Sequence, residues 1–268
     1  MKKYLVVFIL MLFASISLCG CNNSSTFGVW WWDKNLGDSY LEFAKNNGIN
    51  EIYYCDSSFS NQTSHFISCA NQKNIKVFLL AGEYQWLYSR ENLDSLISNY
   101  QTYQNTEQHK FAGIHLDIEP HQASEFSQNR TELIFRLVEI VYQNHVTYPN
   151  IHFAYDIPFW LDDEIVFNNQ TKPAYAHIID YADRVFLMSY RDTAEKIYDV
   201  SKDEIDYAKS QNKTLVLGVE TKSSEGDQVS FMEEGNRYML EQLEELKTML
   251  PKNFGICIHQ IKTWFNLG

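Results

Sequence analysis

Short apolar runs recur along this chain with amphipathic stretches between them, and that alternation restricts the fold more than any other feature. The runs read as strands at Phe27 to Trp32, Glu51 to Cys55, Lys76 to Ala81, Phe111 to Glu119, Ile151 to Ile157, Arg184 to Tyr190, Thr214 to Val219 and Phe254 to Ile261. Helical spacing of apolar residues predicts helices over Asp38 to Asn47, Thr63 to Lys73, Asn92 to Gln104, Ser124 to His145, Pro173 to Ala182, Asp203 to Gln211 and Met232 to Leu250. Strands that alternate with helices belong to a parallel sheet, so the fold class is α/β. Eight strands and seven clear helices predict a (β/α)8 TIM barrel with its eighth helix short or missing.

The N-terminus bears on the compartment. Lys2 and Lys3 precede an apolar run from Tyr4 to Ile16 and then Ser17-Leu18-Cys19-Gly20-Cys21. A charged start, an apolar middle and small residues before a cleavage point make a secretory signal. The run is too short for a comfortable membrane-spanning helix. Leu18-Cys19-Gly20-Cys21 resembles a bacterial lipobox, which implies cleavage after Gly20 and a lipid on Cys21. The expected organisation is therefore a signal over 1–20, a polar tether over 21–26 and one barrel domain over 27–268. Removing the signal leaves 248 of the 268 residues, close to the ~250 of a typical barrel. The expected location is the outer face of the cell membrane, held by the lipid.

Net charge is −12, which argues against nucleic acid as a partner. Aromatic residues make up 15% of the chain, an excess that favours stacking against flat apolar faces such as sugar rings. Cys55, Cys69 and Cys257 are scattered without metal-type spacing. They read as core thiols with at most one disulfide.

Chemistry concentrates in the fourth strand, Phe111-Ala-Gly-Ile-His-Leu-Asp-Ile-Glu-Pro120. Strand side chains have a period of two, so Ile114, Leu116 and Ile118 share one face and His115, Asp117 and Glu119 the other. Three ionisable groups aimed into a barrel interior are costly unless paired or placed at a site. Other polar residues fall at the carboxyl ends of strands: Asp33, Asp56, Glu83, Asp156, Tyr190, Arg191, Glu220 and His259. That rim is where barrels build active sites. Trp30 to Trp32, Trp86, Trp160 and Trp264 also follow strand ends, as a sugar-stacking cleft would require.

The fourth strand resembles the signature of the family-18, chitinase-like glycoside hydrolases, Asp-Gly-x-Asp-x-Asp-x-Glu. Gly113, Asp117 and Glu119 match it, while Ala112 and His115 replace its first two acids. Met188-Ser-Tyr190 resembles the family's sixth-strand Met-x-Tyr, with Arg191 where an Asp is usual, and Ile256 to Trp264 resembles its last strand. The resemblance implies a barrel that hydrolyses an oligo- or polysaccharide with Glu119 as general acid/base, assisted by Asp117, and Tyr190 holding the substrate. A second likeness competes. Glu119 with Glu220 resembles the acid/base and nucleophile of the large retaining-glycosidase clan. The expected catalytic set is thus Glu119, Asp117, Glu220 and Tyr190. The expected substrate-binding set is Trp32, Glu83, Trp86, His115, Asp156, Arg191, His259 and Trp264. No cofactor or metal is expected. Two alternatives stay open. One is a lipoprotein that only binds glycans on a degenerate barrel. The other is a metal-dependent hydrolase using His115, Asp117, His259 and Asp156.

Overall fold

The computed structural model describes residues 25–223 and 228–268. The signal and Cys21 lie outside the described residues. In chain order the strands are β1 (Phe27–Trp31), β2 (Glu51–Tyr54), β3 (Lys76–Ala81), β4 (Ile114–Leu116) and β5 (Phe153–Pro158). They continue with β6 (Glu164–Phe167), β7 (Gln170–Pro173), β8 (Arg184–Met188), β9 (Leu215–Glu220) and β10 (Gly255–His259). Eight of these close into a parallel barrel in the order β1-β10-β9-β8-β5-β4-β3-β2, and β6-β7 form a separate antiparallel hairpin. The helices are α1 (Asp38–Asn46), α2 (Asn61–Gln72), α3 (Glu91–Thr106), α4 (Phe126–Thr147), α5 (Ala174–Tyr181), α6 (Ala194–Val200), α7 (Lys202–Ser210), α8 (Gly235–Met249) and α9 (Ile261–Phe265). The last, five residues long, is the short eighth helix of a (β/α)8 barrel.

The two faces of each strand fill two cores. Trp30, Tyr53, Phe78, Leu80, Ala154, Phe186, Val216 and Cys257 form one cluster inside the barrel. Alternate residues such as Val29, Ile52, Leu79, Ile114, Tyr155, Leu187, Leu217 and Ile258 pack outward beneath the helices. Helix α4 seats Leu133, Leu137, Ile140 and Val141 in that layer, spaced as an apolar stripe requires. The amino-terminal end of the barrel carries a side-chain ion pair. Arg184 donates to Thr26 and to Glu51, and Tyr53 donates to the same Glu51 carboxylate.

Local differences from the sequence reading have physical causes. Strand β4 is only three residues long because Asp117 leaves the ladder after one last bond, from its N–H to the Ala81 carbonyl (2.9 Å). Pro120 then opens a 3₁₀ turn, since it has no N–H to continue pairing. Gly82 makes this departure possible. A Cβ there would stand 1.9 Å from the Asp117 carbonyl oxygen, so the two strand ends can cross only with a glycine. The hairpin β6-β7 turns through Asn168 and Asn169, both left-handed (φ 49° and 61°). Asn tolerates that conformation and suits a two-residue hairpin turn. The three cysteines Cys55, Cys69 and Cys257 are free thiols.

Candidate active site

Strand β1 and the residue after it supply two tryptophans, Trp30 inside the barrel and Trp32 at its mouth. Trp30 donates its indole N–H to Asp156 (3.1 Å), which also meets His115 Nε2 at 2.6 Å. Trp32, one pleat higher, donates to His259 Nε2 (3.0 Å). That bond leaves His259 Nδ1 as the protonated nitrogen, which donates to Glu220 Oε2 (2.9 Å). The other oxygen of Glu220 accepts the backbone N–H groups of Thr221 (2.8 Å) and Lys222 (2.7 Å). Two relays therefore descend from β1, one to the end of β5 and one to the ends of β10 and β9.

Asp117 and Glu119 rise from the end of β4 beside these relays. Asp117 Oδ1 is shut away from solvent with no hydrogen-bond partner, as is Asp156 Oδ1. Burial, reinforced by the charges of Asp156 and Glu119, pushes the Asp117 carboxyl well above the usual range. Burial likewise raises Asp156, with the Glu119 charge adding to it and the Trp30 N–H opposing it. Burial drives the His115 imidazole well below its usual range, so it stays neutral. Tyr190 faces this acidic group from the end of β8. Burial and the fields of Glu220, Asp156, Asp117 and Glu119 hold its hydroxyl protonated well beyond the ordinary tyrosine range. Its ring lies 6.0 Å from that of His259.

Glu119 differs from its neighbours in reaching the mouth. Its side chain is 17% exposed, with Oε1 3.4 Å from His121 Nε2 and Oε2 bonded to Gln122. An outer carboxyl above a buried, proton-holding one is the arrangement a general acid needs. Of the two, the outer carboxyl is the one that reaches the mouth, where it can touch a substrate.

The structure thus brings together Glu119, Asp117, Glu220, Tyr190, Trp32, His115, Asp156 and His259. Within that set His115 is fully buried under Asp156 and can touch substrate only through it. Arg191 stands on the rim beside Tyr190, with its guanidinium 4.7 Å from the Phe159 ring. Glu83 is exposed at the end of β3. Two expected stacking residues are corrected. Trp264 is fully buried, packed edge-on against Phe27 and Phe43 with its N–H on Asn236, because α9 folds back onto α1. Trp86 is 5% exposed and turned under the helices. Neither presents a ring face to the mouth. Asp56 also leaves the rim group, since it accepts Ser58 N–H and the Thr63 hydroxyl and anchors the start of α2. The sequence reading missed His121 and Gln122, which follow Pro120 directly and fold back onto Glu119.

Among the described residues, no group of three or more His, Cys, Asp or Glu side chains is disposed to hold a metal ion. Both ring nitrogens of His259 and Nε2 of His115 are already engaged by the two relays.

No family model and no curated protein matches the sequence. Solved structures do. The spore cortex-lytic enzyme SleL of Bacillus cereus superposes with a TM-score of 0.54 at 12% identity, covering 90% of this chain and 72% of that one. A glycoside hydrolase family 17 β-1,3-glucanosyltransferase from Rhizomucor miehei gives 0.51 at 13% identity, covering 87% and 85%. SleL of Bacillus megaterium gives 0.50 at 10% identity, covering 90% and 73%. At these identities the likeness is one of fold, a barrel shared with glycan-acting enzymes.

Proposed function

We propose that this protein is a glycoside hydrolase in which Glu119 donates the proton to the leaving oxygen. The observation that carries the proposal is the stacked pair at the end of β4, with Asp117 buried and protonation-prone beneath the partly exposed Glu119. Glycoside cleavage requires a positioned acid and a group that stabilises the oxocarbenium-like centre. Asp117, with an unpartnered buried oxygen, suits the second task by orienting an acetamido group of the substrate, which then attacks its own anomeric carbon. Tyr190 stays protonated in this acidic surround and can donate its O–H to the same group. Trp32 offers a half-buried ring beside the acids as a sugar platform.

Glu119→Gln tests the proposal. The change is nearly isosteric at a group on the mouth, so melting should be unaltered. Hydrolysis of a glycan panel should fall by ~10²–10⁴, the usual contribution of a general acid. Undiminished turnover would move the acid elsewhere. We further propose that the enzyme acts from the outer face of the membrane through a lipid on Cys21, on the strength of Leu18-Cys19-Gly20-Cys21. Cys21→Ser should then shift the protein from the membrane to the soluble fraction, and unchanged retention would sink that part.

A further inference from the structure

The chain has 34 acidic residues against 22 Lys and Arg, so its arginines are surrounded by available carboxylates. Five of the six arginines take one. Arg90, Arg130, Arg136, Arg184 and Arg237 each form an ion pair. Arg191 forms none among the described residues. Its guanidinium is instead held by neutral groups: Nη1 donates to the Tyr190 carbonyl (2.7 Å) and the cation lies over the Phe159 ring. A guanidinium has five N–H donors in a rigid fork, and one bond plus one ring face leaves most of them free. The position matters as much as the freedom. Arg191 follows Tyr190 at the carboxyl end of β8, and Phe159 follows β5, so the fork is fixed on the rim. Among the described residues no carboxylate pairs with this cation. The Phe159 ring and the Tyr190 carbonyl are what hold it.

We infer that Arg191 is a specificity residue that binds a carboxylate carried by the substrate, so the preferred glycan is an acidic one, bearing a uronic acid or a lactyl ether on its sugar. This rests on the glycan-binding half of the reading above and adds the charge of the substrate. A carboxylate matches the planar fork with two parallel hydrogen bonds, which a hydroxyl cannot do. The acids of the barrel interior repel an anion that enters the wrong way round. The same pairing therefore orients the sugar, its acidic substituent toward β5 and β8 and its glycosidic oxygen toward Glu119.

Binding is measured with the full chain carrying Glu119→Gln, so that affinity is read without turnover. The probes are a uronate-containing oligosaccharide, a lactyl-bearing glycan strand, and each of these with its carboxyls reduced to alcohols. The unreduced glycan of at least one pair should bind more tightly than its reduced form, and the pair that shows it identifies the source of the carboxylate. Adding Arg191→Gln should lower that ratio of affinities by about tenfold to a hundredfold, the range of a charged hydrogen-bonded pair. Arg191→Lys should restore only part, because a lysine lacks the fork. No preference for either carboxylated glycan, or a preference that survives Arg191→Gln in a variant that melts normally, would overturn the inference. Hydrolysis is assayed separately with Glu119 intact. If the charge preference holds but neither glycan is cleaved, Arg191 keeps its role and the hydrolytic reading fails instead.

Discussion

Glu119 and Glu220 are both carboxylates at strand ends, yet their oxygens are in opposite situations. Glu220 is 7% exposed and accepts three hydrogen bonds, two from backbone N–H groups and one from His259. A nucleophile needs an oxygen lone pair directed at the anomeric carbon, and three of the roughly four lone-pair sites of Glu220 are taken by its own neighbours. Its carboxylate instead fixes the tautomer of His259, which in turn seats Trp32. A mechanism-based fluorosugar should accordingly leave no adduct on Glu220, checked by mass spectrometry of peptides. Glu220→Gln would turn an NH₂ group toward donors and leave at least one of them unmatched, with a loss of about 1–3 kcal/mol in stability. A covalent adduct at Glu220 would restore it as the nucleophile. The sequence shows both glutamates at strand ends equally well. It does not show that the two residues after Glu220 turn their N–H groups back onto it.

At the scale of elements, the period-of-two pattern was the most transferable signal. It placed His115, Asp117 and Glu119 on the inner face, and His115 does point inward, against Trp30, Tyr53 and Phe186. It overestimated the strand, because pattern alone does not reveal that β4 leaves its neighbours after Leu116. The hairpin β6-β7 was legible in part. Ile165 and Phe167 are buried while Glu164 and Val166 are exposed, and Asn168-Asn169 is a turn signal. It lay within a loop of a βα repeat, where an extra antiparallel pair breaks the expected alternation. The tryptophans show the opposite limit. Trp32 and Trp264 both follow strand ends. Only the fold of α9 against α1 puts Trp264 in the core, where Phe27 and Phe43 provide the apolar surround that a large ring seeks.

For the molecule as a whole, buried acids should shape how stability depends on pH. Glu204 on α7 is 1% exposed with Oε1 unpartnered. Burial, with Asp162 and Asp203 adding to it, pushes its carboxyl up to about 8. Between the ordinary carboxylate range and that value the native protein holds a proton that the unfolded chain has released, so stability falls as pH rises through this window. The stabilisation is complete below about pH 4.5 and lost above about 8. Glu204→Gln should flatten this part of the profile, gaining on the order of a few kcal/mol relative to the parent above pH 8, read as denaturant midpoints at pH 5 and pH 9. An unchanged pH slope would show that Glu204 ionises freely. Asp117 and Asp156 act with the same sign, and they remain in both proteins. The amino-acid sequence by itself determined the barrel, since eight apolar runs with helices between them have few other ways to bury both faces of a sheet. It also determined the inward face of β4, through the period of a strand. Tertiary structure alone decided which rim residues are free to act. Whether a carboxylate meets solvent, a histidine or a backbone N–H depends on residues far apart in the chain, such as Trp30 and Asp156, or Trp32, His259 and Glu220. Barrel closure brings those partners together, and no local pattern encodes the meeting.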